Sequence, residues 1–190
     1  MKPYALAATV AALFAGAAHA NDYAPAMQAF LDSEVRAWAE DPVIVAAIAA
    51  QNDRTAGLPQ SEIDALDQAW RAEVGGADTP TIDPVLSNDA AAFLRERVAD
   101  SGGMITEIFA VDARGLNVAA SAVTSDYWQG DEAKFQQTFP TGAGGVHLGE
   151  VEFDESTQTY QGQISLTVTD PETGEPIGAM TVGVNAEALM

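Results

Sequence analysis

At Met104 the apolar residues of this chain change their spacing, and that change limits the folds open to it. Before it they recur every three or four residues, as on one face of a helix; after it they alternate or run on, as in strands. In the first half, Pro25 suits a first helical turn, and Met27, Phe30, Leu31, Val35 and Trp38 share a face. Asp41-Pro42 ends that helix and opens a second, capped by Asp41 and carrying Val43, Ile44, Ala47 and Ile48. After Gly57-Leu58-Pro59, the run Ser61-Glu62-Ile63-Asp64 matches a capping box with Asp in the last place. It predicts a third helix through Ile63, Leu66, Trp70 and Val74, stopped by Gly75-Gly76. A loop containing Pro80 and Pro84 leads to Ser87, the expected cap of a fourth helix that runs to about Asp100 with Leu94 and Val98 inward. Asp53, Arg54, Asp67, Arg71 and Glu73 read as a solvated helix face.

In the second half, the residues from Met104 to Val111 predict a strand, Asp112 to Gly115 a turn, and Leu116 to Ser121 the returning strand. Asp131 to Phe139 reads as one or two helical turns, and Thr141 to Gly145 as a flexible loop without the lysine of a phosphate loop. Strands follow at Val146 to Phe153, Tyr160 to Thr169 and Ile177 to Asn185, joined by turns at Asp154 to Thr157 and Asp170 to Gly174. The expected class is α+β: a five-stranded antiparallel sheet with helices on one face. Helical residues 21–103 and sheet residues 104–190 are expected to form one domain.

Residues 1–20 read as a secretory signal, with Lys2, a run of small apolar residues and Ala18-His19-Ala20 as cleavage site. That run is shorter than the roughly 20 residues needed to span a bilayer. The expected product is a soluble periplasmic chain starting at Asn21, with no membrane span after cleavage. The formal charge of -20 excludes nucleic acid and anionic membrane surfaces as partners, because both require a basic footprint. With no cysteine there is no disulfide, thiolate metal site or cysteine nucleophile, and His147 is the one histidine outside the leader. No cofactor, metal or catalytic group is expected. The acidic groups Glu150-Glu152-Asp154-Glu155 and Asp126-Asp131-Glu132 are weighed as calcium sites and set behind the reading as solvated acids. No serine has a nucleophile-elbow setting, and His147 lacks a visible orienting partner.

Thr124 to Glu132 is unusual for a loop, because Tyr127 and Trp128 stand side by side among acids and a glycine. Either the rings plug the edge of a core, or they wall a small-molecule pocket whose polar contacts come from Asp126, Asp131 and Lys134.

The order of these segments resembles the extracytoplasmic Cache, or PDC, sensor domains, which are PAS-like in shape. The resemblance rests on the helical lead-in, on Phe109 to Ala119 with its D-x-x-G turn, on Thr124 to Glu132, and on Gly174 to Val184 as a final hairpin. Gln51-Asn52, Leu66 to Arg71 and Asp154 to Gln158 look like an exported subgroup of such proteins. The resemblance implies that a small solute, such as an amino acid, amine or carboxylate, binds between the sheet and the segment joining its second and third strands. Tyr127 and Trp128 are then walls, Asp131 or Asp126 an acceptor for an amine, and Lys134 a partner for a carboxylate. Cache domains usually sit between two membrane helices, so a separate membrane-bound signalling protein is expected to read the bound state here. The alternative is an interaction or assembly protein of the cell envelope, with the Tyr-Trp pair as core and the first helices as a homodimer seam.

Overall fold

A computed structural model describes residues 22–154 and 159–190, with Asp154 described by its backbone alone. The expected leader and the turn residues Glu155 to Thr157 lie outside the described residues. The chain begins with α1 (Ala24–Phe30), which passes through a π-helical turn (Leu31–Val35) into α2 (Arg36–Ala39). Met27, Phe30, Leu31, Val35 and Ala39 are buried along it, while Trp38 packs edge-on against Phe30. Asp41 then caps α3 (Pro42–Thr55), its carboxylate accepting from the Val43 N–H at 2.9 Å, as the Asp-Pro pair predicts.

Two helix starts differ from expectation, the first by two residues and the second by one. Helix α4 (Gln60–Glu73) begins directly after Pro59, so Ser61 falls inside the first turn and caps nothing. The loop containing Pro84 forms a short helix, α5 (Asp83–Leu86), and the Ser87 hydroxyl closes it by donating to the Asp83 carbonyl at 2.6 Å. Capping of α6 (Asp89–Asp100) therefore passes to Asn88, whose extended backbone lets its side chain accept from the Ala91 N–H at 2.8 Å.

Strands β1 (Ile105–Asp112), β2 (Asn117–Ala120), β3 (Val146–Leu148), β4 (Glu152–Asp154), β5 (Thr159–Thr169) and β6 (Pro176–Asn185) build one antiparallel sheet. Its path is β2-β1-β6-β5-β3, the expected five strands, with β4 also paired to β5. The single strand expected over Val146 to Phe153 is thus two pieces, broken around Gly149, whose N–H still reaches the Gln163 carbonyl at 2.8 Å. Between β2 and β3 lie the crossing segment and its short helix α7 (Ala133–Gln136).

Both faces of the sheet are covered, whereas the sequence reading placed helices on one. Ile108, Ala110, Met180, Val182, Ile164 and Leu166 pack with residues of α1, α3 and α6. The alternate residues Phe109, Val111 and Ala179, with Ala120, pack with Phe135 of α7, Trp70 of α4, and Ile82 and Val85. Alternation along β1 carries apolar residues to both sides, which requires burial on both sides.

Candidate functional site

The D-x-x-G turn is held from below by α3. Asp112 is wholly buried; its Oδ1 accepts from the Arg114 and Leu116 N–H groups at 2.8 and 3.0 Å. Its Oδ2 accepts from the Gln51 amide at 3.1 Å and the Thr55 hydroxyl at 2.8 Å. Asn52 adds two bonds, donating to the Ile177 carbonyl at 2.7 Å and accepting from the Ala113 N–H at 2.8 Å. Four donors around one carboxylate satisfy a charge that would otherwise be costly to bury. Adjacent Gln51 and Asn52 thus tie α3 to the hairpin and to β6.

The aromatic run docks along the free edge of β2. The Asn117 N–H donates to the Tyr127 carbonyl at 3.0 Å, and the Gln129 N–H to the Gly115 carbonyl at 2.7 Å. This pairing covers an edge that would otherwise leave backbone groups unpaired. The Trp128 indole N–H donates to the Arg114 carbonyl at 2.8 Å, so its ring lies over the hairpin turn. Asp126 serves the loop itself: its carboxylate accepts from the Gln129 amide and lies 3.5 Å from Arg71. Asp131 is exposed.

Helix α4 clamps the run from outside. The Asp67 carboxylate accepts from the Tyr127 and Trp128 N–H groups at 2.9 and 3.1 Å and pairs with Arg71 at 2.8 Å. Glu73 accepts from the Thr81 and Ile82 N–H groups at 2.8 and 3.0 Å. Asp67 and Glu73 therefore hold two loops in place and are not a solvated face. Trp70, fully buried, stacks on Tyr127 at 5.3 Å and donates to the Thr124 carbonyl at 2.9 Å. The space between the sheet and the crossing segment is consequently filled in this region by Trp70, Phe135 and their apolar neighbours.

Lys134 lies apart from Tyr127 in its contacts. Its ammonium is 2.9 Å from Glu132 and 5.2 Å from the centre of the Phe109 ring. It also faces Glu107, whose carboxyl is pushed above the usual range by burial, against the opposing pull of Lys134 and a hydrogen bond from Gln163. Beside this group, Ser165 is fully buried with its hydroxyl 3.0 Å from that of Thr181, and His147 pairs with Ser165 across the strands. A serine engaged in this way is not presented as a nucleophile.

A cleft of about 460 Å³ opens where α3, α4 and the segment around α5 meet the outer edge of the sheet. Ala47, Leu66, Pro84, Val85 and Val118 form its apolar surface, and Gln51, Arg54, Thr55, Asn88 and Tyr127 bring polar groups to it. Burial pushes the Tyr127 hydroxyl up to about 12, with the Asp112 charge adding and Arg54 opposing. Of the five residues expected at a ligand site, Tyr127 lines this cleft. Lys134 is engaged with Glu132, Trp128 covers the hairpin turn, Asp126 closes its own loop and Asp131 faces solvent. Arg54, read from the sequence as part of a solvated helix face, lines the cleft, as do Gln51 and Thr55, which were not among the expected site residues. The usable signal was the spacing 47, 50, 51, 54, 55 on α3, a helix face that changes from alanines to polar side chains.

Among the described residues, no group of three or more metal-ligating side chains comes together. No described helix is long and apolar enough to cross a membrane.

No protein-family model matches the chain, and no curated protein does. Solved structures do. The ligand-binding domain of the Campylobacter jejuni chemoreceptor Tlp3, in complex with L-valine, is 12% identical, with a TM-score of 0.42 over 87% of this chain and 65% of that one. The sensor domain of the Vibrio cholerae histidine kinase DctB is 15% identical, with a TM-score of 0.35 over 85% of this chain and 58% of that one. An extracellular ligand binding receptor from Desulfohalobium retbaense is 15% identical, with a TM-score of 0.40 over 75% and 25%. The chain spans under two thirds of the length of each. Its α+β architecture stands on its own strand order and register.

Proposed function

We propose that this chain is a periplasmic sensor module that binds a small metabolite and reports it to a separate membrane-bound signalling protein. The observation that carries the reading is the cleft at the β2 edge. Its volume lies within the roughly 300–1,000 Å³ typical of small-molecule sites, and it pairs an apolar lining with a few convergent polar groups. Tyr127 links the cleft to the run that covers the sheet edge, and Asp67 links that run to α4. A ligand against Tyr127 thus touches the clamp that joins the two halves of the chain. A partner can read occupancy only if its preferred conformation and the ligand's coincide.

The test is a thermal-shift screen of the purified protein against amino acids, small carboxylates, amines and divalent cations. A ligand at about 100 times its dissociation constant adds about 2.7 kcal/mol, which is seen as a raised midpoint. The expected hit weakens in Tyr127→Ala and survives Asp131→Ala. A panel that leaves the midpoint unmoved would count against a binding module.

A second reading is favoured by the packed cluster beneath the run. Trp70 and Phe135 occupy space that a ligand between sheet and crossing segment would need. If the chain works instead as an assembly protein, light scattering after gel filtration shows a stable dimer that no small molecule perturbs.

A further inference from the structure

Charge in this protein is lopsided, with 28 acidic against 8 basic side chains. Nearly every cation has found a partner. Arg36 pairs with Asp32, Arg71 with Asp67, Arg97 with Glu96 and Lys134 with Glu132. Arg95 donates to the Leu86 carbonyl at 2.6 Å and Arg114 to the Leu58 carbonyl at 2.9 Å. Among the described residues, Arg54 is the one cationic side chain with neither an ion pair nor a hydrogen bond, and it lines the cleft.

The other polar groups of the cleft narrow what can enter. The Gln51 amide nitrogen is committed to Asp112 and to the Leu116 and Asn117 carbonyls. That of Asn88 is committed to the Pro84, Val85 and Val118 carbonyls. The Thr55 hydroxyl reaches the Gln51 carbonyl and Asp112. What remains for a ligand is the Arg54 guanidinium, with its planar set of donors, the Tyr127 hydroxyl, which has no described partner, and one neutral acceptor, the Gln51 amide oxygen; the one charge among them is that of Arg54. A cationic ligand would meet Arg54. The carboxylate that could compensate it, Asp112, is sealed beneath four donors and has no exposed surface. An anionic head meets two donors, and an apolar body meets Ala47, Leu66, Pro84, Val85 and Val118.

Resting on the cleft as the ligand site, we infer that it takes a small monocarboxylate with an apolar body, its carboxylate held by Arg54 and the Tyr127 hydroxyl. The chemistry is that of a charge-assisted guanidinium–carboxylate pair at the solvent-facing rim of the cleft, where Arg54 is exposed, with the apolar body against the walls. The volume admits a branched aliphatic or single-ring acid and leaves the selection to the alanine and proline walls.

Titration calorimetry of the purified protein decides this with three matched probe sets: 3-methylbutanoate and phenylacetate, their neutral amides, and the corresponding amines. The acids are expected to bind at least about tenfold more tightly than amides or amines. Arg54→Gln lowers acid affinity about ten- to hundredfold and erases the preference over the amide, while Arg54→Lys restores part of it. Ala50→Trp, on the cleft wall at an exposed position, blocks every probe. Probes that bind alike whatever their charge, are blocked by Ala50→Trp and ignore Arg54→Gln would overturn the carboxylate class and keep the cleft as the ligand site. Binding that Ala50→Trp leaves intact, or no binding by any probe, overturns the site and the class with it.

Discussion

Trp70 shows how much one side chain decides here. It stacks on Tyr127, donates to the Thr124 carbonyl and has no exposed surface, so it belongs at once to α4, to the run and to the second core. Trp70→Ala is expected to cost about 3–5 kcal/mol in urea denaturation, the range for emptying a large buried aromatic site. Glu107 is a residue whose effect depends on pH. Burial raises its folded pKa above 4.5, so the folded state holds the proton to higher pH than the unfolded chain does. Its penalty on stability is absent below about pH 4 and grows as pH rises from 4.5 through the folded value. Glu107→Gln should therefore melt higher than the parent at about pH 7 and equal it at about pH 4, which two melting curves check. An equal gain at both values would exclude the protonation account.

At the scale of elements, the β1-β2 hairpin is the joint on which the others close. Gly115 sits at φ +79°, and a Cβ there would lie 2.6 Å from the Gly130 Cα, so the turn and the docked run share a space that admits no side chain. Gly115→Ala is expected to lose about 2–4 kcal/mol and to lift the run from the β2 edge. Hydrogen exchange is the discriminating readout: the Gln129 and Asn117 amides should lose protection while those of β5 and β6 keep it. Uniform loss across the sheet would mean that the run is not a separable element. The helices teach a related lesson about legibility. Asp41-Pro42 predicts its cap correctly because both residues act locally on the backbone. Ser87 is drawn into α5, and Asn88 takes the cap of α6, because a neighbouring element competes for the same hydroxyl. Capping signals are short-range, and adjacent elements decide which of two candidates wins.

For the whole molecule, the formal charge of -20 predicts a salt response. Self-repulsion weakens the compact state, and salt screens it, so the melting midpoint should rise between about 0.01 and about 0.5 M sodium chloride. A falling midpoint would show that the few ion pairs outweigh the repulsion. The α+β class and the succession of strands along the chain were legible in the residues alone, because hydrophobic period is a local property and each hairpin turn carries its own chemistry; that β6 pairs with β1 was not. The direction in which the aromatic run faces was not. Tyr127 and Trp128 announce themselves as rings that must cover something, but their partners, Trp70, Asp67 and the Arg114 carbonyl, lie 14 to 61 residues away. The cleft was equally hidden, since Ala47, Gln51 and Arg54 acquire meaning only once α4 and α5 stand opposite them. By itself the sequence determined the main helices and strands, the turn of the β1-β2 hairpin and the lopsided charge. The tertiary structure alone decided that both sheet faces are buried, that the run seals an edge, and that one arginine is left unpaired in a cleft. Packing between segments distant in the chain sets these features, and no local spacing encodes it.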